Sequence, residues 1–226
     1  MHASRTSAMQ SSEPPLATAA EYAALVWALE DDFRKKGKFD RRAWVKVRER
    51  LAGAPAAFSN TPEVSTAFAL LHQIDHAFAP NQKNKQTVMT FYDVATKEHP
   101  AYAPALLMYA RFLLNNREYD QALRQMAALH SVKKQTGQTL SASQWQLLAQ
   151  IYDAKNEFCC VAACLDRAAE QEPQNTTLRD LFVAAAAFFE PSDIQEARRM
   201  VEQDLDTVAN TTAKQLRASS GTAPII

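Results

Sequence analysis

Residues 145–175 read WQLLAQIYDAKNEFCCVAACLDRAAEQEPQN. Apolar side chains fall at Trp145, Leu148, Ala149 and Tyr152, the i, i+3, i+4, i+7 spacing that lines one face of a helix. Phe158 stands at a turn, and Val161, Leu165 and Ala168 carry a second stripe of the same period. Pro173 closes that stripe, because proline inside a helix costs about 3 kcal/mol. Ser141 and Gln144 form a capping box at the front. The stretch therefore predicts two antiparallel helices, 142–155 and 158–171, joined by a short turn.

The same arrangement occurs on either side. Upstream, Leu106, Tyr109, Ala110 and Leu113 precede Tyr119, Ala122, Met126 and Leu129. Downstream, Leu181, Ala184, Ala185 and Phe188 precede Ile194, Ala197 and Val201. In each stretch a small residue (Ala110, Ala149, Ala185) sits where two helices cross, so large neighbours can interlock between repeats. This pattern resembles the tetratricopeptide repeat (TPR) family, most fully over 145–173. The first stretch departs from it by a longer exit loop, Gln135 to Leu140. The third lacks a closing proline and places Pro191 between its helices.

Outside 103–210 the repeat fades but the helical period continues. Tyr22, Leu25, Val26, Leu29 and Phe33 share one face of a helix over about 17–36, stopped by Gly37. Asp40 caps a helix carrying Trp44, Val47 and Leu51. Thr61-Pro62 starts a third, with Val64, Phe68, Leu71, Ile74 and Phe78 inward. Val88, Phe91, Tyr92 and Ala95 line a fourth, over 83–98. Ser192 with Gln195 is a second expected capping box, opening the last helix. The expectation is an all-α, TPR-like α-solenoid of about ten antiparallel helices over 17–210. A disordered tail is expected over 1–16 and a frayed one over 211–226.

Composition bounds the function. The 226 residues are 47% hydrophobic and include only four glycines, too few for the tight turns of a β-rich fold. Lys+Arg and Asp+Glu are 25 each, for a formal net charge of zero. Nucleic-acid affinity is drawn from phosphate neutralisation, so no nucleic-acid partner is expected. The basic run from Arg34 to Lys38 reads as a solvated helix end. Cys159, Cys160 and Cys164 read as reduced thiols of an intracellular protein. The longest apolar run, Leu181 to Phe189, is far short of the ~20 residues that cross a bilayer. Residues 1–12 hold serines and one arginine without acids, too little for a mitochondrial presequence.

The TPR resemblance implies a non-catalytic protein–protein interaction scaffold or adaptor, a cytoplasmic structural subunit of a larger assembly. Its partners would be other proteins, either an extended peptide or neighbouring subunits. The first helix of each pair would line the concave groove, presenting Leu107, Arg111, Asn115, Gln146, Gln150, Asp153, Arg179 and Phe182. The carboxylate clamp of chaperone-binding members is absent from the matching positions, so no acidic chaperone tail is expected there. A narrower likeness rests on Ala162-Ala163-Cys164-Leu165-Asp166 before Pro173 and Asn175, with Tyr92-Asp93, Pro100 and Arg124-Gln125 upstream. It resembles the cytosolic TPR subunit (subunit 2) of the ER membrane protein complex. That implies a scaffold for a membrane-protein insertase at the cytosolic face of the ER, membrane-associated through partners.

Other features carry less. His72 and His76 lie at i, i+4 on one helix face, with Asp75 beside the second, and a metal-dependent hydrolase built on them is the distant alternative. No third ligand follows in sequence, and Cys160 with Cys164 reads as buried packing. Asp31-Asp32 and Glu170 with Glu172 show no pocket that would shift a carboxylate pKa. No phosphate-binding glycine loop or nucleophile elbow is present. No catalytic residue, metal ligand or cofactor is therefore assigned. The Pro224-Ile225-Ile226 end reads as part of the frayed tail.

Overall fold

The computed structural model describes residues 16–220. Among them are eleven helices and no strand. The fold class read from the sequence holds, with one short extra helix. Of the tail expected over 1–16, residues 1–15 lie outside the described residues, as does the Pro224-Ile225-Ile226 end. The chain divides into two compact units, one up to His99 and one from Pro100.

The first unit is built on α4 (Pro62–Phe78), against which α1 (Ala19–Lys36), α2 (Arg41–Ala52), α3 (Ala56–Ser59) and α5 (Gln82–Glu98) all pack. Ala67, Ala69, Leu70, Leu71 and Ile74 are buried along α4, so its apolar band is wider than one stripe. Trp44 of α2 is buried, and its indole N–H donates to the Leu71 carbonyl at 2.9 Å. Tyr92 of α5 is fully enclosed, and its hydroxyl donates to Gln73 at 2.7 Å. Burial raises the Tyr92 phenol well above its ordinary pKa. Gly37 ends α1 in the left-handed region at φ 61°, where a side chain would be strained. The basic run before it is spent on ion pairs one turn back, Arg34–Glu30, Lys35–Asp31 and Lys36–Asp32.

Two local expectations fail here. Phe78, assigned to the inward stripe, is exposed and stacks on Phe39 with 4.5 Å between ring centroids. Thr61 occupies the cap position of α4, but its hydroxyl donates backward to the Phe58 carbonyl at 2.8 Å. The four-residue α3 supplies that carbonyl. Conversely, Thr18 and Glu21 form a capping box on α1 that the sequence reading passed over.

The second unit carries the repeat. α6 (Ala103–Asn115) pairs with α7 (Tyr119–Gln135), α8 (Ala142–Ala154) with α9 (Phe158–Gln171), and α10 (Thr176–Ala186) packs on α9. Every first-helix position named for the first two stretches is buried: Leu106, Tyr109, Ala110 and Leu113, then Trp145, Leu148, Ala149 and Tyr152. Ser141 accepts its expected role, its N–H donating to Gln144 at 2.9 Å. Asn175 caps α10 by accepting from the Leu178 N–H.

The last helix departs from the repeat. α11 (Pro191–Ser220) does not lie against α10; it runs back along α9 and α7. Ile194, Ala197, Val201 and Leu205 form its buried stripe. It begins one residue before Ser192, so the expected capping box does not form. Instead Asp193 accepts from the Glu190 N–H at 3.3 Å. The helix continues to Ser220, beyond the 210 at which apolar periodicity was expected to end it.

Candidate functional site

The first helices of successive pairs stand side by side, and α6 and α8 border a cleft of about 310 Å³. Leu114 and Leu147 give it an apolar part. Arg111, Asn115, Ser143, Gln146 and Gln150 supply the polar remainder. Arg111 and Asn115 are one helical turn apart, as are Gln146 and Gln150, so each helix presents two functional groups on one face. Four of the eight residues expected in the groove thus meet in one cleft.

Their side chains are uncommitted. Among the described residues, Arg111, Asn115, Gln146 and Gln150 make no side-chain hydrogen bond or ion pair. A guanidinium offers five donors, and each carboxamide offers both a donor pair and an acceptor. This set can bind an extended backbone, whose carbonyls accept and whose N–H groups donate. The one hydroxyl in the cleft, Ser143, bonds the Ser141 hydroxyl at 3.1 Å, and no histidine or carboxylate stands among the lining residues to activate it.

The other four expected groove residues lie elsewhere. Leu107 is half-buried and does not line the cleft. Asp153 sits at the far end of α8, on a separate apolar groove with Phe158 and Phe188. Arg179 is exposed and Phe182 half-buried on α10, apart from the cleft. Ser143 and Leu114 are cleft residues that the sequence reading did not name. Their positions follow from the i, i+3 and i, i+4 rows through Gln146, Arg111 and Gln150, a signal available in the helix period.

The alternative centre at His72 gains no ligand set. His72 stacks on Phe91, with 4.5 Å between centroids and 10° between planes. Its ring also meets Trp44 edge-on at 6.3 Å. Burial holds its pKa below the ordinary value. Asp75 faces Arg41 at 3.9 Å. Among the described residues no three His, Cys, Asp or Glu side chains are grouped to hold a metal ion. The three cysteines are free thiols; Cys164 is buried, and burial pushes Cys160 up to about 11. Among the described residues no helix is long and apolar enough to cross a membrane.

No family model and no curated protein matches the chain. Among solved structures, the MamA RS-1 ArsTM double mutant is similar at 14% sequence identity, over 91% of this chain and 100% of that one, with a TM-score of 0.51. At that identity the likeness speaks to architecture, and with the paired helices above it makes the fold that of a TPR-like helical solenoid.

Proposed function

We propose that the chain is a non-catalytic protein–protein interaction scaffold, a structural subunit or adaptor of a larger assembly. The observation that carries this reading is the α6–α8 cleft: an arginine and three carboxamides, all uncommitted, on two rigid helices. Side chains so placed recognise a partner by shape and hydrogen bonding, and they need no cofactor. The partner is an extended peptide segment or a neighbouring subunit. The mixed polar lining suits a backbone better than a lone terminal carboxylate, which would want a cluster of cations.

The test is affinity purification of the tagged chain with mass spectrometry, repeated with Arg111→Ala and Gln150→Ala together. Stoichiometric protein partners should co-purify with the wild type and drop out with the double variant. Each truncation should weaken binding by about tenfold if the side chain is a buried anchor. A chain that stays alone, or partners indifferent to both substitutions, would remove the proposal.

A second, finer reading is favoured by the run from Ala162 to Asn175. It makes the chain a cytosolic scaffold subunit of the ER membrane protein insertase complex, held at the membrane through its partners. Recovery of integral ER membrane proteins in the same purification supports it; recovery of a soluble assembly alone rejects it.

A further inference from the structure

In the first two helix pairs the four inward positions of the first helix are closed over by its own second helix. The equivalent positions on and just after α10 are open: Leu181 is 46% exposed and Phe188 86%. The helix that the repeat spacing would lay there, α11, is committed to α7 and α9. Arg198 binds Asp166 and Glu170, Arg167 binds Glu202, and Lys134 binds Asp206 at 2.7 Å, so its position is fixed by charge as well as by packing.

The uncovered strip opens onto an apolar groove of about 390 Å³. Phe158 and Val161 of α9 form one wall, and Ala184, Ala185 and Phe188 form the other. Asp153 is the one charged side chain among the described residues lining it. A further acid, Glu190, follows the aromatic wall in sequence after Phe189, while Glu157 before Phe158 is paired with Lys155. The basic residue closest in sequence to Phe158, Lys155, is already bonded to Asp120 at 2.9 Å and Glu157 at 3.5 Å.

We infer that this groove takes one amphipathic helix of another protein, with its apolar stripe flanked by Lys or Arg. Leu181 and Ala185 are one turn apart on α10 and Phe188 follows just past its end, so with the α9 wall they offer an apolar face on which a helix can seat as a second helix does in the preceding pairs. The charge selects the partner. A second copy of this chain related by a two-fold axis would bring its own Asp153 and neighbouring acids against themselves, which like charges disfavour. An anionic membrane surface is repelled on the same grounds. A basic-flanked helix gains both burial of Leu181 and Phe188 and attraction at the rim. This surface stands apart from the α6–α8 cleft, and its test does not depend on that cleft.

The experiment titrates the full chain with two labelled peptides of about 18 residues, long enough to hold helix. They share one leucine stripe, flanked in one by lysines and in the other by glutamates, and anisotropy reads binding. The lysine peptide should bind about tenfold or more tighter than the glutamate peptide. Phe188→Ser should weaken it by a similar factor without moving the melting temperature, since that ring is solvent-exposed. Asp153→Asn should narrow the gap between the peptides, and Arg111→Ala should leave both unchanged. Equal affinity for the two peptides, or binding indifferent to Phe188→Ser, overturns the inference. A concentration-dependent dimer abolished by Phe188→Ser assigns the face to a second copy and overturns it as well.

Discussion

His72 lies flat on Phe91 with Trp44 at its edge, and burial is the largest influence on its ionisation, lowering its pKa. Asp75 pulls the other way and Arg48 adds to the lowering. His130 shows the same direction, again with burial first, while Asp206 at 3.7 Å opposes it. When the folded pKa lies below the unfolded one, the unfolded chain binds the proton more readily. The stability these rings contribute is therefore complete above the ordinary histidine value of about 6.5 and is lost as pH falls from there toward the folded values. Urea midpoints should drop between pH 7 and pH 5, and His72→Gln should flatten part of that slope. A midpoint rising toward pH 5, or a slope untouched by the substitution, would contradict this. The i, i+4 spacing of His72 and His76 was plain in the sequence, but Phe91 comes from another helix, and only tertiary packing shows that aromatic stacking surrounds the imidazole. A second residue-scale test is Tyr152, whose buried hydroxyl donates to Asp204 of α11 at 3.0 Å. Tyr152→Phe should cost about 1.5 kcal/mol in a urea titration, the low end of the net worth of a hydrogen bond to a charged acceptor.

At the scale of elements, α11 depends on one guanidinium more than on any other charge. Arg198 is largely enclosed and faces Asp166 at 3.0 Å as well as Glu170, both on α9. Burial pushes the Asp166 carboxyl up, with Arg198 pulling it back down. Arg198→Met keeps much of the volume and removes the charge, leaving Asp166 half-buried without its cation. That should cost about 2 kcal/mol at pH 7, less than the loss for a fully buried pair because solvent reaches part of the site. The unpaired Asp166 then has a raised folded pKa, so the penalty should shrink as pH falls through that value. Adding Asp166→Leu should restore part of the loss; a double variant no better than the single would count against this account. The first two helix pairs were legible because Leu148, Ala149 and Tyr152 and their counterparts repeat at fixed spacing. The route of α11 was not, because Ile194, Ala197 and Val201 specify a buried face without specifying which helix buries it. The ion pairs that choose α9 over α10 join residues some 30 positions apart, beyond any local pattern. The same long-range choice left Leu181 and Phe188 open, although their spacing matched the buried sets.

For the whole molecule, the equal count of 25 cations and 25 anions is the governing quantity. The repeat signal was strong over 103–210 and weak before it, and the chain divides at His99 and Pro100 into units of those two characters. Charge runs through both without a block of either sign, and the sequence pI is about 7.0. With no net repulsion between copies, association is least opposed near neutral pH. Light scattering at low ionic strength should therefore peak near pH 7 and fall toward pH 8.5, where the chain becomes net negative. On the acid side, burial lowers the pKa of His72 and His130, so these two rings take up their protons at lower pH than an exposed imidazole. Scattering should fall on the acid side of pH 7 as well, and His72→Gln should change the limb from pH 7 to pH 6 little, because burial delays the charging of that ring. The exposed Phe188 does not supply the contact for that association, because a second copy would bring Asp153 and its neighbouring acids against themselves. Phe188→Ser should therefore leave both the height and the position of the peak at pH 7 unchanged, separating the charge balance of the whole surface from the apolar groove. A peak lowered or moved by the substitution, or scattering lowest at neutral pH, would show that surface charge does not control the behaviour of the chain.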